Sequence, residues 1–229
     1  MIFLRPNSIV LSIWIALLRC LSSCSLSSGK ENYHPVVEQD VAAPDSFLFS
    51  LSTSQGEISL MAKRDWSPKA VDRLYHLLLE HYYDSAYIFR VQKGYVAQFG
   101  IAAHSDVSQY WRKHPIPDEP VLVSNRKGTF SYAREGKNSR DTQLFINLDD
   151  NPKLDTIEFM GLKGFPPLGY VVDTDSNWGV IEKWNGNYGF GPAEEQEEMY
   201  KVGNRYLQEK YPDLDYIIST QVVKPTEEE

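Results

Sequence analysis

The chain has 229 residues, 42% hydrophobic and 24% charged, with 23 basic against 31 acidic side chains and a formal net charge of −8. That length suits one ordinary domain with short extensions, and 14 Tyr, 10 Phe and 5 Trp are enough for a substantial core, which excludes a disordered chain. The acidic balance excludes a protein whose affinity comes from neutralising phosphates, so nucleic acid is not expected as a partner.

Residues 1–28 contain no acidic side chain. They hold Arg5, an apolar run from Ile9 to Leu18, then Arg19 and the small-residue stretch Leu21-Ser22-Ser23-Cys24-Ser25. The run is shorter than the roughly 20 residues that cross a bilayer as a helix. A basic start, a short apolar centre and small residues after it predict a secretory signal peptide, and hence an address in the secretory pathway with no membrane span in the mature chain. The same stretch resembles the lipobox of bacterial lipoproteins, which makes membrane attachment through Cys24 the alternative. Cys20 and Cys24 are the two cysteines, so the rest of the chain has no thiolate nucleophile, no cysteine zinc site and no disulfide.

Residues 29–45 read as a polar linker. Alternation of Phe47, Phe49 and Leu51, then Ile58 and Leu60, around Ser54-Gln55-Gly56 predicts a β-hairpin. Ser67-Pro68 offers a helix start with proline at the first position, and Val71, Leu74, Leu78 and Tyr82 fall on one face of a helix ending near Tyr83. Short strands are predicted at Tyr87–Val91, Tyr95–Gly100, Pro120–Ser124, Thr129–Ala133, Thr142–Leu148, Leu168–Val172 and Leu214–Val223. Pro192–Tyr211 reads as a charged helix interrupted by Gly203, and 224–229 as an acidic tail. Many short strands with two or three helices predict a mainly β fold, a closed antiparallel barrel capped by helices.

Other signals carry little chemistry. The five histidines form no pair at metal-ligand spacing; His76 and His81 are five apart, off one helical face. Asp173-Thr174-Asp175-Ser176-Asn177 begins like a calcium loop, but Trp178 and Trp184 stand where that loop needs Gly and Glu. Gly186–Gly191 lacks the Lys and Ser/Thr that end a phosphate loop, and no nucleophile–His–Asp arrangement can be placed. Neither a metal nor an organic cofactor is expected.

Three segments in order resemble one family. Ile88-Phe89-Arg90-Val91-Gln92-Lys93-Gly94-Tyr95-Val96-Ala97-Gln98-Phe99-Gly100 is similar to the "FHR(V/I)xxGFMxQGG" segment of cyclophilins. Gly128-Thr129-Phe130-Ser131-Tyr132-Ala133 followed by Thr142-Gln143-Leu144-Phe145-Ile146 matches "G-x-x-S-M-A … S-Q-F-F-I", and Leu154-Asp155 with Leu168-Gly169-Tyr170-Val171-Val172 resembles "L-D … F-G-x-V". The resemblance covers residues 46–223 and implies an eight-stranded cyclophilin-like barrel, here with an extra C-terminal helix. It also implies a monomeric peptidyl-prolyl cis–trans isomerase (rotamase) acting in protein folding on proline-containing peptides and unfolded or folding proteins.

Rotation about an X-Pro bond breaks amide resonance, against a barrier of about 18–20 kcal/mol for peptide bonds in general. A catalyst needs only to bind the twisted amide better than the planar one, each ~1.4 kcal/mol of difference giving a factor of ten. A guanidinium suits this task, because its fixed, permanently charged fork of donors can meet both the pyramidalised nitrogen and the turning carbonyl. The resemblance assigns that role to Arg90, with Gln98 and Gln143 orienting it or contacting the substrate backbone. Tyr95, Val96, Phe145 and Leu154 would wall the proline slot, Ala133 would leave room for the preceding residue, and the backbone of Arg134 could pair with the peptide. Read alone, Arg90 would be a surface ion-pair partner, the four slot residues core, and the two glutamines ordinary strand residues.

Departures from the family pattern set further expectations. Phe165 replaces its usual His, Lys153 the Trp that binds cyclosporin, Tyr95 and Val96 its Phe and Met, Phe99 a Gly, and Arg134 an Asn. Weak to moderate turnover and poor cyclosporin sensitivity follow, and the alternative is a peptide- or protein-binding module without meaningful turnover. Tyr188-Gly189-Phe190-Gly191-Pro192 is similar to the "YGEG.P" loop of a bacterial-like branch.

Overall fold

The computed structural model describes residues 33–36, 41–159 and 161–223. The proposed export segment with Cys20 and Cys24, and the acidic tail 224–229, lie outside the described residues. Strands β1 (Ser46–Thr53) and β2 (Gly56–Lys63) form the expected hairpin, paired along all eight positions. Ile58, Leu60 and Ala62 are buried while Glu57 faces solvent, the alternation that a one-sided sheet requires. Gly56 takes φ 130° at the turn, and a Cβ there would stand 2.8 Å from a Val180 methyl, so both backbone and space call for glycine.

Helix α1 (Pro68–Leu79) ends four residues earlier than predicted, followed by turn residues with His81 at φ 53° and Ser85 at φ 64°. Its start is capped in an unforeseen way. Ser67 makes no capping bond of its own; its hydroxyl donates to Glu119 Oε2 at 2.6 Å. The same carboxylate accepts from the amides of Lys69 (2.8 Å) and Ala70 (3.1 Å), taking up orphan donors of the first turn from a loop 50 residues away. Arg140, fully buried, donates to Glu119 at 2.9 Å and completes the knot.

β3 (Arg90–Gln92), β4 (Val96–Phe99), β5 (Thr129–Tyr132), β6 (Leu144–Asn147), β9 (Pro167–Val171) and β10 (Ile217–Val223) join the hairpin in one antiparallel sheet of order β10-β1-β2-β9-β5-β6-β4-β3. A separate two-strand ribbon, β7 (Glu158–Phe159) and β8 (Leu162–Lys163), lies between β6 and β9 in the chain. The eight-stranded sheet curls, but no ladder joins its ends. They meet through a single Tyr87–Tyr216 bridge, flanked by Ile88 N–H to Asp215 O (2.8 Å) and Ile217 N–H to Ala86 O (2.8 Å). Phe49, Leu51, Leu60, Phe130 and Ile146 fill the inside together with Val71, Leu74 and Leu78 of α1. The apolar run Pro120–Ser124 is not a strand; Leu122 is 63% exposed, and the segment finds no partner strand to pair with.

Two helices were not anticipated. In α2 (Ser105–Arg112), Trp111 is buried, and Tyr110 packs edge-on against Tyr33 at 5.4 Å. Trp111 Nε1 also donates to the Tyr33 hydroxyl at 3.4 Å, and the amide of buried Ala43 donates to Asp72, so parts of the 29–45 stretch are fastened to the domain. The calcium-like stretch opens α3 (Asp175–Ile181), where Thr174 is the N-cap and accepts from the Asn177 amide.

The single C-terminal helix expected is three short ones: α4 (Gly191–Glu194), α5 (Gln196–Val202) and α6 (Asn204–Lys210). The break at Gly203 follows from φ 74° and from the Ala103 carbonyl, 2.5 Å from where a Cβ would sit. At the other break the Glu195 carboxylate accepts from Lys210 (2.5 Å), Tyr206 (2.5 Å) and Tyr211 (2.8 Å), and these bonds, Lys210 first, hold its pKa down at about 2 against an ordinary 4.5. A carboxyl whose folded pKa is depressed stabilises fully above its unfolded pKa and loses that contribution as pH falls towards the folded one. Amide NMR signals of α6 should therefore shift and broaden as pH drops from about 4.5 to about 2, and Glu195→Gln should remove that transition.

Candidate active site

Register places the candidate residues. Arg90 on β3 lies opposite Gln98 on β4, and Gln98 lies opposite Phe145 on β6, so these three side chains stand in a row on one face of the sheet. Two residues along β3, Gln92 lies opposite Val96 and shares that face. Arg90 Nη1 donates to Gln98 Oε1 at 3.0 Å, and its Nε and Nη2 both donate to Gln92 Oε1, at 3.0 and 2.5 Å. Aromatic rings flank the guanidinium, Phe190 at 4.8 Å and Tyr95 at 5.6 Å. Half-burial pulls its pKa down, yet a guanidinium keeps its charge in proteins.

Beside this polar row, Val96, Phe145 and Leu154 form a small buried apolar cluster, with Ala133 and Phe165 packed against it. Phe165 meets Phe145 edge-on at 5.6 Å. Leu154 sits in a 3-10 turn, Pro152–Asp155, which is pinned by its own carboxylate: Asp155 accepts from the Ser124 hydroxyl (2.5 Å) and from the Asn125 amide and side chain (2.7 and 2.8 Å). Burial pushes the Asp155 carboxyl up, but these bonds outweigh it and hold the group below the usual carboxylate range. Gly164, at φ 67°, lets the chain pass the Asp155 carbonyl, which a Cβ would meet at 2.2 Å.

All nine residues singled out in the sequence (Arg90, Tyr95, Val96, Gln98, Ala133, Arg134, Gln143, Phe145 and Leu154) line one open groove of about 350 Å³. The Arg134 side chain is 1% exposed; its guanidinium lies 5.0 Å from the Phe165 ring, donates to the Gly164 carbonyl and stands 3.5 Å from Asp118. It braces the slot wall, which sequence reasoning did not foresee. Lys153 is exposed beside the slot.

Other groove residues escaped the sequence reading. Phe190, Ala193, Gln196 and Tyr200 come from the C-terminal segment and wall one side. Gln143 Nε2 donates to Gln196 Oε1 (2.8 Å) and to the Tyr200 hydroxyl (2.9 Å). Arg112 of α2 stacks over Tyr200 at 4.4 Å and forks onto Glu197. The Tyr188–Pro192 loop was visible in the sequence, but nothing in its spacing ties it to Arg90, about 100 residues earlier. Among the described residues no group of three His, Cys, Asp or Glu gathers to hold a metal ion.

The family model for cyclophilin-type peptidyl-prolyl cis-trans isomerases matches residues 48–201. The chain belongs to the cyclophilin family. It is 30% identical over 114 residues to peptidyl-prolyl isomerase CWC27 of Mycosarcoma maydis, covering 48% of this chain and 24% of that protein. It is 32% identical over 109 residues to peptidyl-prolyl cis-trans isomerase 9 of Schizosaccharomyces pombe, covering 46% and 18%, and 31% identical over 126 residues to peptidyl-prolyl cis-trans isomerase-like 2 of Aspergillus oryzae, covering 54% and 21%. The chain thus spans about a fifth of the length of these relatives. A crystal structure of a Cryptosporidium parvum cyclophilin-type isomerase shares the fold, with a TM-score of 0.56 and 18% identity, covering 78% of this chain and 98% of that one.

Two sequence expectations need correction. The relatives named above are eukaryotic, so the bacterial-like branch suggested by Tyr188–Pro192 is not borne out. The secretory address, with its bacterial-lipoprotein alternative through Cys24, is overturned by the same relatives, which are CWC27, isomerase 9 and isomerase-like 2 proteins. The apolar composition of residues 9–18 prompted that reading, and composition alone does not distinguish an export signal from other apolar segments. Among the described residues, no helix is long and apolar enough to cross a membrane.

Proposed function

We propose that this cyclophilin domain binds proline-containing segments of other proteins in the groove at Arg90 and turns over their X-Pro bonds slowly. The observation that carries this reading is the state of the guanidinium beside an intact slot. The Val96, Phe145 and Leu154 cluster offers an apolar wall against which a pyrrolidine ring can pack. Arg90, however, is already spoken for: three of a guanidinium's five N–H groups donate to Gln92 and Gln98.

Only interactions stronger in the transition state than in the ground state speed the rotation. To aim Nε or Nη2 at the twisted amide, Arg90 must give up Gln92, and that loss offsets part of what the new bond contributes. Two N–H groups remain, which supports slow rather than absent turnover. Binding is affected less, because the apolar slot does not depend on Gln92.

Exchange-rate NMR on a short X-Pro peptide tests the reading. Gln92→Leu should release the guanidinium and raise the catalysed rate about fivefold, the worth of roughly one hydrogen bond, with little change in peptide affinity. Arg90→Ala should abolish the acceleration. A Gln92→Leu protein no faster than the parent, or full acceleration surviving Arg90→Ala, would refute it.

A further inference from the structure

The hydrogen bonds that begin at Arg90 continue out of the groove. Gln98 Nε2 donates to Gln143 Oε1 at 2.9 Å, Gln143 Nε2 to the Tyr200 hydroxyl at 2.9 Å, and that hydroxyl to Asp141 Oδ2 at 3.4 Å. Every link donates in the same sense, from the guanidinium towards a buried carboxyl. The guanidinium can only donate, so only this direction is consistent along the whole chain. Flipping one glutamine alone would set donor against donor at one end and acceptor against acceptor at the other, and unmatched buried polar groups are costly.

The far end agrees with that direction. Asp141 Oδ1 is taken by the amides of Thr142 (2.5 Å) and Gln143 (3.3 Å), which leaves Oδ2 for the Tyr200 hydroxyl. Burial, and then the Asp141 charge, push the Tyr200 pKa far up, so the hydroxyl keeps the proton it donates. Tyr200 comes from α5, about 100 residues beyond the strands it serves, and is itself 3% exposed.

We propose that Tyr200 is a positioning residue for Arg90: by accepting from Gln143, beside Gln196 Oε1, and donating to Asp141 it helps hold the orientation of the Gln143 and Gln98 amides, and through them the direction of the guanidinium. This inference rests on the reading of Arg90 as the group that meets the X-Pro amide. The C-terminal segment is then more than a wall, because it helps set the aim of a side chain on β3.

The test uses the full chain without peptide, by side-chain proton–nitrogen NMR of the Gln98 and Gln143 amides and the Arg90 Nε–H. Tyr200→Phe keeps the ring under Arg112 and removes only the hydroxyl. All three sets of signals should move while backbone amides of the sheet stay in place, and the Arg90-dependent acceleration of X-Pro exchange, measured separately with peptide, should fall about fivefold. Asp141→Asn is the second variant. Its carboxamide oxygen still serves the Thr142 and Gln143 amides, so its NH2 faces Tyr200 and the hydroxyl loses the acceptor it donates to; the disturbed chain should move the same three signals. Gln98 and Arg90 signals unchanged in either folded variant would overturn the proposal, even if Gln143 responds. A wild-type protein that binds no peptide would instead refute the functional reading, and the peptide-free shifts would still decide the positioning.

Discussion

Replacing Glu119 with alanine is expected to destabilise the domain by about 3–5 kcal/mol, the cost of leaving a buried charge without its partner. The Glu119 side chain is 8% exposed and that of Arg140 0%. One carboxylate serves Ser67, the first turn of α1 and Arg140, while Arg140 also donates to the Pro117 carbonyl and thereby holds the loop before Glu119. Urea unfolding of the single variants and of Glu119→Ala/Arg140→Leu checks this. The double variant should lose less than the two singles summed, because it removes the unpaired charge. Additive losses would mean that the pair is not coupled.

The second large effect is expected on binding. Phe145→Ala removes the floor of the slot and should weaken an X-Pro peptide by about 1.5–3 kcal/mol, tenfold to a hundredfold in Kd. Phe145 is 5% exposed and belongs to the small cluster with Val96 and Leu154, separate from the main core. The fold should survive its loss, since Phe49, Phe130 and Ile146 pack elsewhere. Titration followed by amide NMR reads both quantities at once. An affinity within a factor of about two of the parent would show that the proline sits elsewhere.

The nine candidate residues could be grouped from the sequence because they sit in short contiguous motifs; strand register brings together those on β3, β4 and β6, while Tyr95, Ala133, Arg134 and Gln143 flank strands and Leu154 comes from the 3-10 turn. Arg90 and Gln98 are eight apart across a hairpin, and Gln98 and Phe145 face each other in a ladder. What stayed hidden depends on side chains that are remote in the chain. Ser67 looked like a cap acceptor, but it donates to Glu119, a residue 52 positions on. Tyr200 reaches Gln143 across 57 positions, and no local pattern marks a tyrosine that accepts from a glutamine. Gln92 was in plain view inside the first motif, yet its capture of Arg90 needs the pleat that puts both on one face. The three C-terminal helices read as one because helical spacing continues through Glu195 and Gly203. The positive φ at Gly203 and the nearby Ala103 carbonyl, neither visible in the spacing, make the glycine break necessary.

One titration tests the central claim most directly: an isotope-labelled X-Pro peptide against the labelled full chain, read by exchange spectroscopy on the peptide and amide shifts on the protein. The account predicts saturable shifts at Val96, Ala133 and Phe145 together with a modest, Arg90-dependent rise in cis–trans exchange. Shifts confined to other surfaces would contradict the site. Fast turnover with Gln92 still bonded to Arg90 would contradict the account of how the guanidinium is held back.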